Sequence, residues 1–352
     1  MTVTGAIDAG DLGVTLMHEH LINDCTSCWN PPAPDDLTGQ EIAAGPVRMS
    51  YLGRLRNDPF LSLDNCRLDD VGLVSAELAR FAEAGGASVV EQTCSGIGRD
   101  PGALARIARN TGLNIIMGCG FYLEASHPAQ VRGMTAVDVA DHLEQEISEG
   151  VNGVRPGIIG EIGVSAAFTQ EEEKVLRGAA IAQRRTGLPL SIHLPGWERH
   201  GGRVLDVVAE EGASLEATVL CHLNPSMRDV DYQHDLADRG AWIEYDMVGL
   251  EFYFADQAAQ SPSDEDNARA IVELVRAGYA GRLLLSSDVF LKTMLVRYGG
   301  YGYAHLLTAF AQRLTRHGLT ADDLTRLLIR NPAAVFQATV KETTDDQNSR
   351  RW

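Results

Sequence analysis

The chain has 352 residues, 45% hydrophobic and 22% charged, which is enough apolar sequence to bury the core of one large soluble domain. Its 48 acidic side chains outnumber 30 Lys and Arg, and the formal net charge of -18 argues against nucleic acid or an anionic membrane as a partner. No secretory signal is visible, no apolar run approaches the ~18 residues of a spanning helix, and the six cysteines are scattered, so we expect a cytoplasmic protein with reduced thiols.

Short apolar segments alternate with amphipathic segments along the chain, which is the pattern of βα units. The predicted strands are residues 13–18, 87–93, 113–119, 157–162, 188–193, 217–222, 241–246 and 282–288. Helical periodicity is clearest in residues 69–83, 136–149, 171–185 and 265–276. Eight strand–helix repeats favour a closed α/β fold, the (β/α)8 TIM barrel, over an open doubly wound sheet.

The segment 23–65 follows the first predicted strand and is long, irregular and proline-containing. Barrel enzymes carry substrate-covering loops at this position, so we expect it to form part of the site wall. It contains Cys25 and Cys28 in a C-x-x-C pair, for which a redox or zinc role and ordinary packing are both open. No linker suggests a second domain. Residues 1–338 are predicted to form the barrel, and residues 339–352 a polar tail.

Six side chains of metal-ligand type stand at or just beyond the ends of predicted strands: His18, His20, Glu161, His193, His222 and Asp288. The first two form H-x-H, and residues i and i+2 of an extended segment project to one face. Any one of the six could be structural, as a hydrogen-bonded His or an Asp that caps a helix. Because all six are in barrel register, we expect them to converge on the carboxyl-terminal rim, where barrel enzymes keep their chemistry.

Four imidazoles and two carboxylates exceed what one tetrahedral ion needs and suit two divalent ions about 3.5–4 Å apart. We assign His18, His20 and Asp288 to an inner ion, His193 and His222 to an outer ion, and Glu161 to a bridging position. Zn²⁺ is the expected metal. Mn²⁺, Co²⁺ and Fe²⁺ are alternatives, because such sites accept several ions.

Around these positions the sequence resembles the phosphotriesterase-like branch of the amidohydrolase superfamily. The matching stretches are residues 16–21, 157–163, 171–180, 191–193, 220–222, 287–288 and 298–303, within a resemblance that runs from about residue 5 to residue 338. It implies a (β/α)8 barrel, a binuclear metal site and, frequently, a homodimer. Family members include phosphotriesterases, lactonases and carboxylic ester and amide hydrolases.

The resemblance has one informative departure. In the phosphotriesterases and many lactonases the bridging ligand is a carbamylated lysine, whereas this chain has Gly160-Glu161 there, as in the phosphotriesterase homology proteins. A promiscuous phosphotriesterase is therefore disfavoured.

These residues, together with the substrate classes that the resemblance implies, predict a hydrolase that cleaves a lactone or related carboxylic ester by attack of a metal-bridging hydroxide, with Asp288 as the catalytic proton carrier. An amidase or a phosphoesterase with the same site is an alternative. A non-catalytic metal-bound binding protein is the rival from another class. A serine mechanism has no support because no G-x-S-x-G motif is present.

Six residues near the rim are predicted to contact a small-molecule substrate: Tyr122, Trp29, Lys292, Arg297, Phe252 and Tyr253. The tyrosine hydroxyl of Tyr122 could donate to Glu161 or to substrate, or the ring could simply form pocket wall. Lys292 and Arg297 could hold an anionic substrate, or could be solvated surface charges. The aromatic residues favour a moderately hydrophobic substrate.

Overall fold

The protein is described by a computed structural model covering residues 1–337, and its central feature is a barrel of eight parallel strands. They are β1 (Thr15–Glu19), β2 (Ser88–Glu91), β3 (Asn114–Cys119), β4 (Ile158–Gly163), β5 (Leu190–His193), β6 (Thr218–Leu220), β7 (Trp242–Tyr245) and β8 (Leu283–Leu285). Neighbours in the chain pair in sequence from β1 to β8. Beyond β8, the backbone N–H of Asp288 donates to His18 (3.1 Å) and that of His20 to the carbonyl of Val289 (3.2 Å). These bonds link the last strand to the first, and the predicted (β/α)8 TIM barrel is confirmed.

Successive strand residues pack on opposite sides of the sheet. In β8, the central Leu284 packs with one apolar residue from each of several other strands, among them Met17 and Val90, to fill the barrel interior. Its neighbours Leu283 and Leu285 join the larger core between the sheet and the surrounding helices. Both faces are therefore buried, which explains why the strands read as continuous apolar runs.

Helices connect and surround the strands. The α-helices are Leu37–Ala44, Leu52–Leu55, Val71–Glu83, Pro101–Thr111, Ala136–Glu149, Gln170–Thr186, Gly201–Glu210, Val230–Asp238, Asp264–Arg276, Ala311–Arg316 and Ala321–Thr325, and Leu306–Phe310 and Arg326–Arg330 are π-helical. Several begin at a side-chain cap. Thr169, for example, forms a capping box with Glu172.

The segment 23–65 is more regular than its sequence predicts. It contains two of the helices above, and Asn23–Asp24 pairs with Arg67–Leu68 in a short antiparallel ladder. A small apolar cluster of its own, formed by Ile42, Val47, Leu55 and Leu61, holds it together.

A second excursion follows β7, where Tyr253–Phe254 pairs with Ala259–Gln260; we call residues 253–260 the β7 hairpin. The predicted polar tail, residues 339–352, lies outside the described residues. Within residues 1–337, no helix combines the length and the hydropathy that crossing a membrane requires.

Candidate metal centre

The six predicted ligands meet at the carboxyl ends of the barrel strands. His18 lies in β1 and His20 directly after it, Glu161 lies in β4, and His193 ends β5. His222 and Asp288 follow β6 and β8 within three residues. All are buried except His193, whose side chain is 17% exposed. The positions of the ligands on separate strands therefore bring together residues that are up to 270 positions apart in the chain.

Glu161 lies at the centre of this cluster. Its Oε1 is 2.7 Å from Nδ1 of His193, 3.0 Å from Nε2 of His222 and 3.5 Å from Nε2 of His18. Its Oε2 is 3.8 Å from Nε2 of His20. Burial opposes ionisation, but the adjacent imidazoles outweigh it and hold the pKa of Glu161 well below its usual range. One ionised carboxylate thus faces all four histidines, as a bridging ligand must.

The approach of Glu161 to His193 requires a glycine before it. Gly160 has φ +148°, and a Cβ at this position would lie 2.7 Å from the Cβ of Ser191 in β5. Such a distance leaves no room for a side chain, so β4 and β5 can pack this closely only with glycine at residue 160.

Asp288 completes the cluster from the opposite side. Its Oδ1 is 3.4 Å from Nε2 of His20 and 3.7 Å from Nε2 of His18, and its Oδ2 is 3.9 Å from Nδ1 of His222. Asp288 and His222 both have positive φ, 46° and 59°. Left-handed backbone is uncommon for residues other than glycine and tends to occur at functional sites.

The environment of His18 tests whether these residues fit a cation. The ring is fully buried, and neither of its nitrogens makes a hydrogen bond. Burial lowers its pKa, but surrounding carboxylates, Glu161 first, raise the pKa of His18 to about 10. A divalent cation would satisfy the same carboxylates without that proton.

Among the six predicted ligands, two sets of donor atoms have all members within 4.8 Å of one another: His18, His20 and Asp288, and His18, Glu161 and His222. The first set is the one assigned to the inner ion. The donor chemistry fits divalent metals of the zinc type. The division between two ions and the identity of the metal remain predictions.

Two carboxylates that are not among the predicted site residues contact the histidines on the side away from the cleft. They are Glu244 in β7 and Asp246 directly after it. Asp246 Oδ1 is 3.0 Å from Nδ1 of His222, and both its oxygens accept from the backbone N–H of His222 at 3.1 and 3.0 Å. Oδ2 of Asp246 and Oε2 of Glu244 lie 3.4 and 3.6 Å from Nδ1 of His18. A carboxylate at one ring nitrogen orients the other toward the metal.

A similar contact supports His20. Its Nδ1 lies 2.9 Å from Oγ1 of Thr93, whose hydroxyl donates to the buried Glu91 at the end of β2. The sequence could have indicated Glu244 and Asp246 as site residues, because Glu244-x-Asp246 repeats the i, i+2 spacing of His18-x-His20.

Glu19 holds the turn that carries Asp288. Its Oε1 accepts from Oγ of Ser286 (2.8 Å) and from the backbone N–H of Ser287 (2.9 Å), and its Oε2 accepts from that of Val289 (2.8 Å). Burial outweighs these bonds and raises the pKa of Glu19 to about 7. The residues on both sides of Asp288 are therefore anchored to β1.

A cleft of about 360 Å³ opens above the cluster. Five predicted ligands form its floor, namely His20, Glu161, His193, His222 and Asp288. Its walls include Asn23, Cys25, Cys28 and Phe60 from the segment around residues 23–65, together with residues that follow β3, β5 and β7. The cysteines in residues 1–337 are free thiols, and Cys25 Sγ donates to the carbonyl of Cys66 at 3.2 Å.

Of the six predicted substrate contacts, the structure brings only Tyr122 to the cleft wall. Its hydroxyl is 3.5 Å from Nε2 of His193, the interplanar angle of the two rings is 80°, and burial raises the pKa of Tyr122 well above its usual value. A protonated hydroxyl therefore stands beside the floor.

The other five, Trp29, Lys292, Arg297, Phe252 and Tyr253, do not line the cleft. Lys292 Nζ donates to Asp64 at 2.6 Å, and Arg297 is exposed. The indole N–H of Trp29 donates to a backbone carbonyl outside the cleft at 3.1 Å. These residues follow predicted strand ends in the sequence, but that position does not determine where their side chains point.

Comparisons with known proteins agree with this geometry. The profile of the phosphotriesterase family matches residues 1–336. The N-acetyltaurine hydrolase of Xenopus tropicalis is 35% identical over 337 residues, 94% of this chain and 95% of that protein.

Two solved structures are also similar. A resiniferatoxin-binding protein from Rhodobacter sphaeroides is 53% identical, with a TM-score of 0.93 and coverage of 96% of this chain and 94% of that one. The phosphotriesterase homology protein from Escherichia coli, with phosphate in its active site, is 27% identical, with a TM-score of 0.76 and coverage of 93% and 99%.

Proposed function

The chain belongs to the phosphotriesterase family, and from that premise we propose that it is a metal-dependent hydrolase that cleaves an acyl bond, a carboxylic amide or ester, of a small molecule. The observation that carries the proposal is the cluster of four imidazoles around Glu161, with Asp288 opposite, at the floor of an open cleft.

His18, His20 and Asp288 would hold one divalent cation, His193 and His222 a second, and Glu161 would contact both. When bound, such cations lower the pKa of a water molecule from about 15.7 to near 7 and polarise the carbonyl of a substrate. The cleft above them is wide enough for a small molecule and narrow enough to orient it.

Asp288 is the proton carrier in this proposal. Its carboxylate lines the cleft, with Oδ1 facing His18 and His20 and Oδ2 facing His222. From this position the carboxylate can take a proton from the attacking water and return it to the leaving nitrogen or oxygen. The Tyr122 hydroxyl, kept protonated by burial, can donate a hydrogen bond to the substrate.

An amide is the first bond to test, because relatives that are 35% identical over nearly their whole length carry the name N-acetyltaurine hydrolase. Lactones and other carboxylic esters, the substrates predicted from the sequence, require the same attack at a carbonyl carbon and are the second. Glu161 in place of a lysine argues against phosphotriesters.

A second candidate function is binding without cleavage. It is favoured by the 53% identical protein described as a resiniferatoxin-binding protein. The same cleft would then hold a small-molecule ligand and leave it intact.

The test is a hydrolysis screen of the metal-loaded protein on amides, lactones, linear esters and phosphotriesters, with Asp288→Asn as the matched variant. We expect turnover of an amide or ester, and a fall in kcat of about 10²–10⁴ in Asp288→Asn with metal content retained, the usual contribution of acid–base catalysis. Wild-type kcat in Asp288→Asn would remove Asp288 from its role. Saturable binding of the ligands without turnover of any would establish the second candidate.

A further inference from the structure

The cleft has a continuous aromatic wall that reaches from the mouth to the metal centre. Trp197 and Phe254 have ring centroids 5.8 Å apart, Phe254 and Phe60 5.6 Å, and Phe60 and Phe290 6.2 Å. Phe290 in turn lies 6.3 Å from the ring of His20 in the floor. A substrate bound with its acyl bond at the floor would therefore lay the rest of its surface along these rings.

The same walls carry no positive charge. Among the cleft-lining residues in the described part of the chain there is no Lys or Arg. The two cations that sequence reasoning assigned to substrate lie elsewhere: Lys292 is bound to Asp64, and Arg297 is exposed outside the cleft.

The charge that the wall does carry is negative. Apart from the predicted metal ligands, the one carboxylate on the lining is Asp256, at the exposed tip of the β7 hairpin. Its field extends into the cleft: burial is the main cause that raises the pKa of the Cys28 thiol to about 11, a hydrogen bond with Ser27 opposes it, and the neighbouring Cys66, Asp256 and Glu161 add to the rise. Asp256 also adds to burial in raising the pKa of Asp58.

From the aromatic wall and the charge of its rim we infer that the substrate is an amide or ester whose leaving group is apolar or aromatic and carries no negative charge, and that Asp256 is the residue that discriminates against anionic groups. This inference rests on the proposed function. A sulfonate or carboxylate entering the cleft would lose hydration without gaining a cationic partner and would be repelled by Asp256. N-acetyltaurine, which carries a sulfonate, is thus expected to be a poor substrate of this chain.

Three acetamides with different end groups test the inference: N-acetyltaurine (anionic), N-(2-phenylethyl)acetamide (neutral and aromatic) and N-acetylethylenediamine (cationic). We measure kcat/KM of each with metal-loaded wild type, Asp256→Asn and Asp256→Lys. Glu83→Lys is the matched control for Asp256→Lys, because it changes the net charge by the same amount at the opposite end of the barrel, where the helix Val71–Glu83 ends before β2.

We expect wild type to prefer the aromatic acetamide over N-acetyltaurine. The ratio of anionic to neutral kcat/KM should rise roughly 2- to 5-fold in Asp256→Asn, the size of one exposed charge interaction, and further in Asp256→Lys. The control should leave that ratio unchanged. The inference would be overturned if wild type preferred N-acetyltaurine. It would also be overturned if the ratio of anionic to neutral kcat/KM were the same in wild type, Asp256→Asn and Asp256→Lys.

Failure of the proposed function gives a different result, namely that neither the three acetamides nor any amide, lactone or linear ester of the hydrolysis screen is hydrolysed. In that case we measure the dissociation constants of the same three compounds by calorimetry, for Asp288→Asn and for the double variant Asp288→Asn/Asp256→Lys. These dissociation constants then decide the inference. The inference is supported if N-acetyltaurine binds most weakly of the three compounds and Asp256→Lys strengthens its binding. Tightest binding of N-acetyltaurine overturns it.

Discussion

The side chain of Asp246 fixes His222 from two directions, through the ring nitrogen Nδ1 and through the backbone N–H. The other ring nitrogen, Nε2, thereby points toward Oε1 of Glu161, 3.0 Å away. Residues in this position behind a metal ligand set its orientation and basicity without touching the metal.

We therefore expect Asp246→Asn to weaken metal binding, or activity at a limiting metal concentration, by about 10- to 100-fold, the usual cost of losing such a partner. Competition with a chromophoric chelator measures the affinity. Glu83→Gln, distant from the site, is the control and should bind metal like wild type. Equal affinities in Asp246→Asn and wild type would show that the contact does not position His222.

At the scale of single residues, position along a strand could be predicted and side-chain direction in loops could not. His18, His20, Glu161 and His193 lie within or directly after strands, where a two-residue period fixes the face. Lys292 lies in a loop, and its direction is set by a partner 228 positions away, Asp64, which no local pattern reveals.

Among the secondary-structure elements, β2, β3 and the helix Ala136–Glu149 are joined by one buried ion pair. Arg99, just after β2, donates from Nη1 and Nη2 to the two oxygens of Glu146, at 2.8 Å each, and from Nη1 to the carbonyl of Gly118 in β3 at 3.1 Å. The two side chains are 3% and 14% exposed. Burial would raise the pKa of Glu146, but His142 and Arg99 lower it to about 2.

Because this folded-state pKa lies below the ordinary 4.5, the pair stabilises the fold fully above pH 4.5 and progressively less as the pH falls toward 2. We expect Glu146→Ala to lower the free energy of unfolding by about 3 kcal/mol at pH 7, since Arg99 is left buried without its partner. The difference from wild type should shrink below pH 4.5. Urea unfolding at pH 7 and pH 3.5 measures it.

Glu149→Ala, at the exposed end of the same helix, is the control and should cost far less. A loss in Glu146→Ala that is equally large at both pH values would mean that packing of the side chain, rather than its charge, stabilises this junction.

The order of elements was predictable because glycine turns precede most strands and the longer helices each have one apolar face. The helices Leu37–Ala44 and Leu52–Leu55 were not, since they are short and are stabilised by the tertiary cluster around Leu55. A helix of four to eight residues has too little intrinsic stability to impose a pattern on the sequence.

Across the whole molecule, the first and last strands of the barrel meet at the candidate metal centre. Ligands on β1 and after β8 face one another, so a cation that binds both links the first βα unit to the last. Metal binding is therefore expected to stabilise the entire fold and not only the site.

A metal present at about 100 times its dissociation constant should add roughly 2.7 kcal/mol to the free energy of unfolding. We expect a chelated sample to melt at a lower temperature than a metal-loaded sample, and His18→Ala to lose most of the difference. Differential scanning calorimetry with and without added Zn²⁺ gives the result. Identical melting of loaded and chelated wild type would mean that metal does not bind the folded chain preferentially.

The barrel as a whole could be predicted from eight repeated units, and the convergence of ligands followed from its topology. The shape of the cleft could not, because the residues that build it, such as Phe60 and Phe254, come from excursions whose paths depend on packing between distant segments. The homodimer implied by the family resemblance remains a prediction that sedimentation equilibrium would test.

The central claim is that six side chains from five strands of the barrel hold a pair of divalent ions. Metal content by mass spectrometry, on protein saturated with Zn²⁺ and freed of excess, tests it most directly, with Glu161→Ala and His193→Ala in parallel. We expect about two ions per chain in wild type and fewer in both variants. A wild type that saturates with one ion or none would contradict the account, and so would a content of two ions that neither substitution changes.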